Sequence, residues 1–146
     1  MTVTGVNVAP LLGVRIPSRH KSKTRMNTLS KEIHAANVKK GFYEEEKNIG
    51  EMLALIHSEV SEMLEAHREG RSASGFSSKA KLFKRDAEDF KTHFLIEIKD
   101  TIEDELADTV IRCLDLAGYL DIDIEAHVKA KLRYNSLRPY KHGKKY

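Results

Sequence analysis

Four carboxylates stand apart from the rest of the chain by their spacing. Glu59 and Glu62 lie three positions apart, and so do Glu105 and Asp108. Two residues three apart on a helix point the same way. On a wheel of about 100° per residue, Glu59 falls between Met52, Ile56 and Met63 on one side and Leu55 and Ala66 on the other. It sits inside an apolar stripe, with Glu62 at the stripe's edge. An ionised carboxylate buried without a partner is strongly disfavoured, and two adjacent ones also repel. A cation between them removes both penalties. Glu105 flanks a second stripe, centred on Leu106 and Val110, so two helices packed side by side bring all four acids together. Oxygen ligands without His or Cys favour a hard ion, Mg²⁺, with Mn²⁺ as a substitute. The competing reading is four acids at the border of a core, reaching water or a Lys or Arg partner.

The other candidate groups carry less. Glu65, Glu69, Asp100, Glu103, Asp104 and Asp115 are expected as solvated surface that adds to a negative field. Glu44, Glu45 and Glu46 are expected in the first turn of a helix, where the dipole favours acids. A di-iron bundle needs Glu-x-x-His pairs, and the seven histidines show no such spacing. A single cysteine, Cys113, excludes an intramolecular disulfide framework and a multi-cysteine zinc site. Its place on an apolar stripe predicts a packing role, and an intracellular, cytoplasmic setting is the simplest expectation.

The elements that must position the acids follow from apolar periodicity. A short helix is predicted from Leu29 to Lys40, stopped by Gly41. A long helix runs from Glu44 to Glu69, with Gly70 as its stop. Residues 71–78 read as a loop, and 79–91 as a charged stretch of unassigned structure, with a helix as one option. A second long helix spans Thr92 to Leu120, with Ile102, Leu106, Val110, Cys113, Ala117 and Leu120 as its main stripe. Asp121 or Asp123 caps a last helix from Ile124 to Leu137, which Pro139 blocks. No strand and no internal repeat is evident. The expected fold is all-α, a bundle of four to five helices.

Length and composition agree with that frame. The chain has 146 residues, 40% hydrophobic and 32% charged, enough for one domain with a core. No apolar run approaches the roughly 20 residues that span a bilayer. The formal net charge is +3, low for a general nucleic-acid binder. Residues 1–31 and the segment from Lys129 to Tyr146 are basic and free of acids, so the middle of the chain is negative. Residues 1–25 contain Pro10, Pro17, Gly5 and Gly13 without helical period. They are read as a basic, unstructured extension to a domain of residues 26–146, although their composition also permits a targeting peptide.

The motif contexts carry a resemblance. Ile56-His57-Ser58-Glu59-Val60-Ser61-Glu62 resembles the first motif helix of the MazG-like and dimeric-dUTPase superfamily. Glu103-Asp104-Glu105-Leu106-Ala107-Asp108-Thr109-Val110-Ile111-Arg112 resembles its second. The tail from Lys131 to Lys145, with Lys131, Asn135, Arg138-Pro139 and His142-Gly143-Lys144, is similar to the endings of bacterial and phage members. The resemblance covers Leu29 to Lys145. It implies hydrolysis of a nucleoside triphosphate, a dNTP or non-canonical NTP, to the monophosphate and pyrophosphate. It also implies Mg²⁺ held by Glu59, Glu62, Glu105 and Asp108, with Glu59 or Glu62 accepting a proton from water. Lys131, Asn135, Arg138 and Lys144 are implied phosphate or substrate contacts, and a homodimer or homotetramer is implied. The segment from Arg71 to Lys99 is longer than in the shortest members, which suits a lid or an oligomer contact. No Trp is present to stack a base, which leaves Phe42, Tyr43, Phe76, Phe83 and Phe90 as candidates. The rival reading is a non-catalytic nucleotide-binding or helical interaction module of the same fold. No membrane and no specific nucleic-acid partner is expected.

Overall fold

The computed structural model describes residues 25–73 and 84–143. Five α-helices are present and no strand appears among the described residues: α1 (Arg25–Lys39), α2 (Ile49–Arg68), α3 (Ala87–Glu97), α4 (Ile102–Tyr119) and α5 (Ile124–Ser136). A 3₁₀ turn, Tyr140–Gly143, follows. The reading of residues 1–24 as an extension lies outside the described residues. No described helix is long and apolar enough to cross a membrane.

Local capping fixes the helix ends. Gly70 adopts φ +70 after α2, and the Arg71 N–H donates back to the Ala66 carbonyl at 2.9 Å. Such a left-handed C-terminal residue is what glycine permits. Of the two candidate caps, Asp121 and Asp123, it is Asp123 that caps α5, through the Ala126 N–H. Two expectations need correction. α2 starts at Ile49 and not at Glu44, because the Asn48 side chain accepts the Gly50 and Glu51 N–H groups and sets the first turn there. Glu44 to Glu46 therefore stand outside the helix. The second long helix is two helices. Asp100 turns to φ 59, and the Thr101 hydroxyl accepts the Asp104 N–H while donating to the Ile98 carbonyl. That cap ends the continuity between α3 and α4.

α4 is the central helix, packed against α1 on one side and α2 on another, and α5 rests on α1. α2 runs antiparallel to α4. Its end is pinned to the start of α4 where the Ile102 N–H meets the Arg71 carbonyl at 3.2 Å. The Glu103 carboxylate also accepts the Ala73 N–H and the Ser72 hydroxyl. These contacts lower the Glu103 carboxyl from its ordinary value, the Ala73 N–H first among them. The α1–α4 crossing is close. Ser30 donates to the Leu114 carbonyl at 2.6 Å, and Gly118 leaves no room for a side chain.

Asp115 is not the solvated acid expected from the sequence. It accepts from His34 Nδ1, Asn37 Nδ2 and the Tyr43 hydroxyl at 2.8 to 3.0 Å. This network ties the end of α1 and the following loop to α4. Burial, then the bond to Asp115 and its charge, push the Tyr43 phenol far above its ordinary range. The Tyr43 ring lies edge-on to His34 and 5.2 Å from Tyr119.

The buried apolar set is small: Ala66, Ala73, Leu114 and Ala117. The stripe assigned to the core of α4 faces outward instead. Leu106, Val110, Cys113 and Leu120 are exposed, and only Ala117 of that row is buried. In α2, Leu53, Val60 and Leu64 are exposed as well. The reason is rotational. α4 turns Leu114, Asp115 and Gly118 toward α1 and Glu105 toward α2, so most of the Leu106 row is left over.

A Cβ on Gly118 would stand 2.8 Å from the His34 Cβ and 2.9 Å from the Ser30 carbonyl oxygen. In a helix, Gly→Ala is ordinarily worth about 1 kcal/mol of stabilisation. Here Gly118→Ala is expected to lower stability by about 1–3 kcal/mol through overpacking. Urea denaturation reads it. A gain in stability would show that α1 and α4 do not approach this closely.

Candidate metal centre

The capping that divides α3 from α4 also places the acids. Glu103, Asp104 and Glu105 fall in the first turn of α4, where unsatisfied N–H groups and the helix dipole favour negative charge. Asp104 accepts the Asp100 N–H at 3.0 Å. Glu105 points across to α2, whose Glu59 and Glu62 are one turn apart on the facing side. One carboxylate oxygen from each of Glu59, Glu62 and Glu105 lies within 4.8 Å of the others. Glu59 and Glu105 are buried and Glu62 is exposed, so the cluster opens to solvent at Glu62. Asp100, Asp104 and Glu105 form a second such group, sharing Glu105.

This is an expensive arrangement for a protein without a cation. Desolvation pushes the Glu105 carboxyl above its ordinary range, and the charges of Glu62, Asp104, Glu59 and Asp108 push it the same way. Asp108 is raised for the same reasons, burial first and then Asp104 and Glu59, partly opposed by Arg112 and Lys99. Lys99 itself is held by Asp100 at 2.5 Å. The direct positive partner inside the cluster is Arg112, whose Nε donates to Glu59 Oε1 at 2.5 Å.

Three of the four acids expected to converge, Glu59, Glu62 and Glu105, do so. Asp108 is half-buried and stands one turn further along α4, in the wall of an adjoining cavity of about 270 Å³. Asn37, Phe42, Tyr43, Lys47, Met52, Ile111, Arg112 and Asp115 also line that cavity. The lining is mixed: aromatic and aliphatic surface with one amide, three carboxylates (Glu51, Asp108 and Asp115) and two cations. Phe42 and Tyr43, two of the stacking candidates, are in it.

The C-terminal residues are not brought to this place. Lys131 and Arg138 lie over the ring of Tyr134, at 5.2 and 5.9 Å from its centroid. The Asn135 side-chain oxygen is buried without a partner. None of the three lines the cavity, and Lys144 lies outside the described residues. Sequence reasoning missed Arg112 as a partner of Glu59, Asp104 as a buried neighbour, and Asn37 and Lys47 as cavity residues. One signal was present for Asp104: Thr101-x-x-Asp104 before an apolar run is an N-terminal capping pattern.

The donor set suits a divalent ion. Carboxylate oxygens alone, from two rigid helices, with one side open to water, match what hard cations take. A protein free of such an ion is expected to show the repulsion in its pH dependence. Glu105 and Asp108 bind protons more tightly folded than unfolded, so they make the folded state less stable as pH rises. The loss starts near their ordinary values, 4.5 and 3.8, and continues up through the raised ones. Glu105→Gln is expected to raise the melting temperature at pH 7 by about 4 °C, the shift for roughly 1 kcal/mol in a domain of this size. It should also flatten the decline between mildly acid and neutral pH, read by calorimetry in EDTA. An unchanged slope would mean that the cluster is not repulsive. Comparison with protein-family models, with curated proteins and with solved structures finds no match to this chain.

Proposed function

We propose that the protein is a MazG-like pyrophosphohydrolase that cleaves a nucleoside triphosphate to the monophosphate and pyrophosphate. The observation that carries this reading is the convergence of Glu59, Glu62 and Glu105, two of them buried, beside a cavity that Asp108 joins to the cluster. A substrate with about four negative charges would be repelled by bare carboxylates. Mg²⁺ bound there would reverse the local sign, polarise a phosphoryl oxygen and lower the pKa of a water.

The chain's own residues supply the rest. Glu59 and Glu105 are fixed on facing helices, so the ligand geometry is set before anything binds. Glu62, at the open edge, can accept the proton of an attacking water, the role the sequence leaves between it and Glu59. The cavity, near the lower end of the roughly 300–1,000 Å³ usual for ligand pockets, suits the nucleoside end. Phe42 and Tyr43 line it with aromatic surface, and Asn37 and Asp115, bonded to one another, give it a polar wall. Lys47 can meet a phosphate at its edge. Lys131, Asn135 and Arg138 keep a phosphate role only if a second copy brings them in.

That second copy has a face to dock on. Leu106, Val110, Cys113, Ala117 and Leu120 on α4 follow alternating steps of four and three residues, the spacing of a coiled-coil seam. All but Ala117 are exposed. Leu53, Val60 and Leu64 of α2 are exposed apolar residues as well. The working form is read as a homo-oligomer closed through these faces.

Two measurements test the reading. Pyrophosphate release from a panel of canonical and modified (d)NTPs with Mg²⁺ is expected from the wild type and lost, by at least a hundredfold, in Glu59→Gln and Asp108→Asn. A folded wild type that binds nucleotides but hydrolyses none would favour the non-catalytic binding module. In light scattering, the wild type is expected at a multiple of the 16.6 kDa chain mass, and Val110→Lys at the mass of one chain. A monomeric wild type would remove the oligomer.

A further inference from the structure

Arg112 stands on the boundary between the carboxylate cluster and the cavity. Its Nε donates to Glu59 Oε1 at 2.5 Å, and the same side chain lines the cavity. The pairing is lopsided. The Glu59 side chain is 6% exposed and that of Arg112 is 41% exposed. A guanidinium carries five N–H donors in a fork suited to carboxylates and phosphates. Only Nε is engaged, and among the described residues Arg112 makes no other hydrogen bond. The terminal nitrogens are free to reach a ligand.

The charges around it explain why it is there. Glu59, Glu62 and Glu105 crowd within 4.8 Å, Asp104 is buried nearby, and Asp108 is on the same helix one turn away. Lys99 is committed to Asp100. Without a metal, Arg112 is the one cation among the described residues that bonds directly to the triad. With a divalent ion on Glu59, the guanidinium would sit beside a like charge of twice its size, in partly desolvated surroundings where screening is weak.

We propose that Arg112 is a displaceable counter-cation: it neutralises Glu59 while no metal is held, and turns to an anionic group of a ligand in the cavity once Glu59 takes up a divalent ion. The inference rests on the metal-site reading given above. It makes Arg112 a substrate-binding residue whose availability depends on metal loading, so that metal and phosphate bind in support of one another. The opposite arrangement, a fixed Arg112 that orients Glu59 as a ligand, predicts the opposite sign for metal affinity.

The test uses the full chain and measures binding, not turnover. Mn²⁺ affinity without nucleotide is read from the electron paramagnetic resonance of free Mn²⁺. Affinity for a non-hydrolysable α,β-methylene nucleoside triphosphate is read by calorimetry at saturating Mn²⁺. Arg112→Met is expected to bind Mn²⁺ about fivefold to tenfold more tightly and the analogue about tenfold more weakly, the latter being the usual loss for one charged hydrogen bond. Arg112→Lys, which keeps the charge on a compact head, should fall between on both counts and covers the case in which the Met variant does not fold. Mn²⁺ affinity that is unchanged or weaker in these variants overturns the proposal, as does unchanged affinity for the analogue. A wild type that takes up no Mn²⁺ removes the metal-site reading and this inference together. Wild-type uptake that Glu105→Gln abolishes, with Arg112→Met and Arg112→Lys inert, removes this inference alone.

Discussion

Glu59 on α2 and Glu105 on α4 are buried against one another, and the folded chain must keep two negative charges in a place that water cannot fully reach. Most of the architecture around them can be read as a response. The break at Asp100 and Thr101 puts Glu105 in the first turn of α4, where the helix dipole is positive. The Arg71 to Ala73 segment locks the end of α2 onto that same turn. Arg112 reaches over from the next turns of α4 to meet Glu59. Take away the break and the acids would sit mid-helix, without the dipole. The docking of residues 71–73 adds backbone and carboxylate bonds to the packing of α2 on α4.

The second side of α4 does different work. There, Gly118 and Ser30 let α1 come close, and Asp115 gathers His34, Asn37 and Tyr43. The result is a stiff wall behind the cavity. One helix thus carries a face of mutually repelling acids, which could hold a cation, and a polar face whose groups are bonded to one another. Among the described residues the fully buried apolar set is small, and polar contacts such as those of Asp115 and Glu103 add to the fastening.

The all-α class, the glycine stop after α2, the Asp123 cap and the Glu59 position were legible because each follows from local chemistry or from a single helix's period. The division of the 92–120 segment was not. Its apolar spacing runs through the break, which the Thr101 cap on the Asp104 N–H marks in the structure. The outward turn of the Leu106 row was also hidden. A helix with apolar residues on more than one side does not reveal which side meets its neighbours. The pairing of Arg112 with Glu59 and the gathering at Asp115 depend on how α1, α2 and α4 are rotated against one another. That information sits in no one stretch of sequence.

The exposed row on α4 has a practical corollary through Cys113. The chain has one thiol, and it stands on the outward face of the central helix, in line with Val110 and Leu106. A maleimide dye therefore attaches at one known point without any engineering. Because the neighbours are apolar, an environment-sensitive fluorophore there would report, by its colour, whether that face is wet or covered.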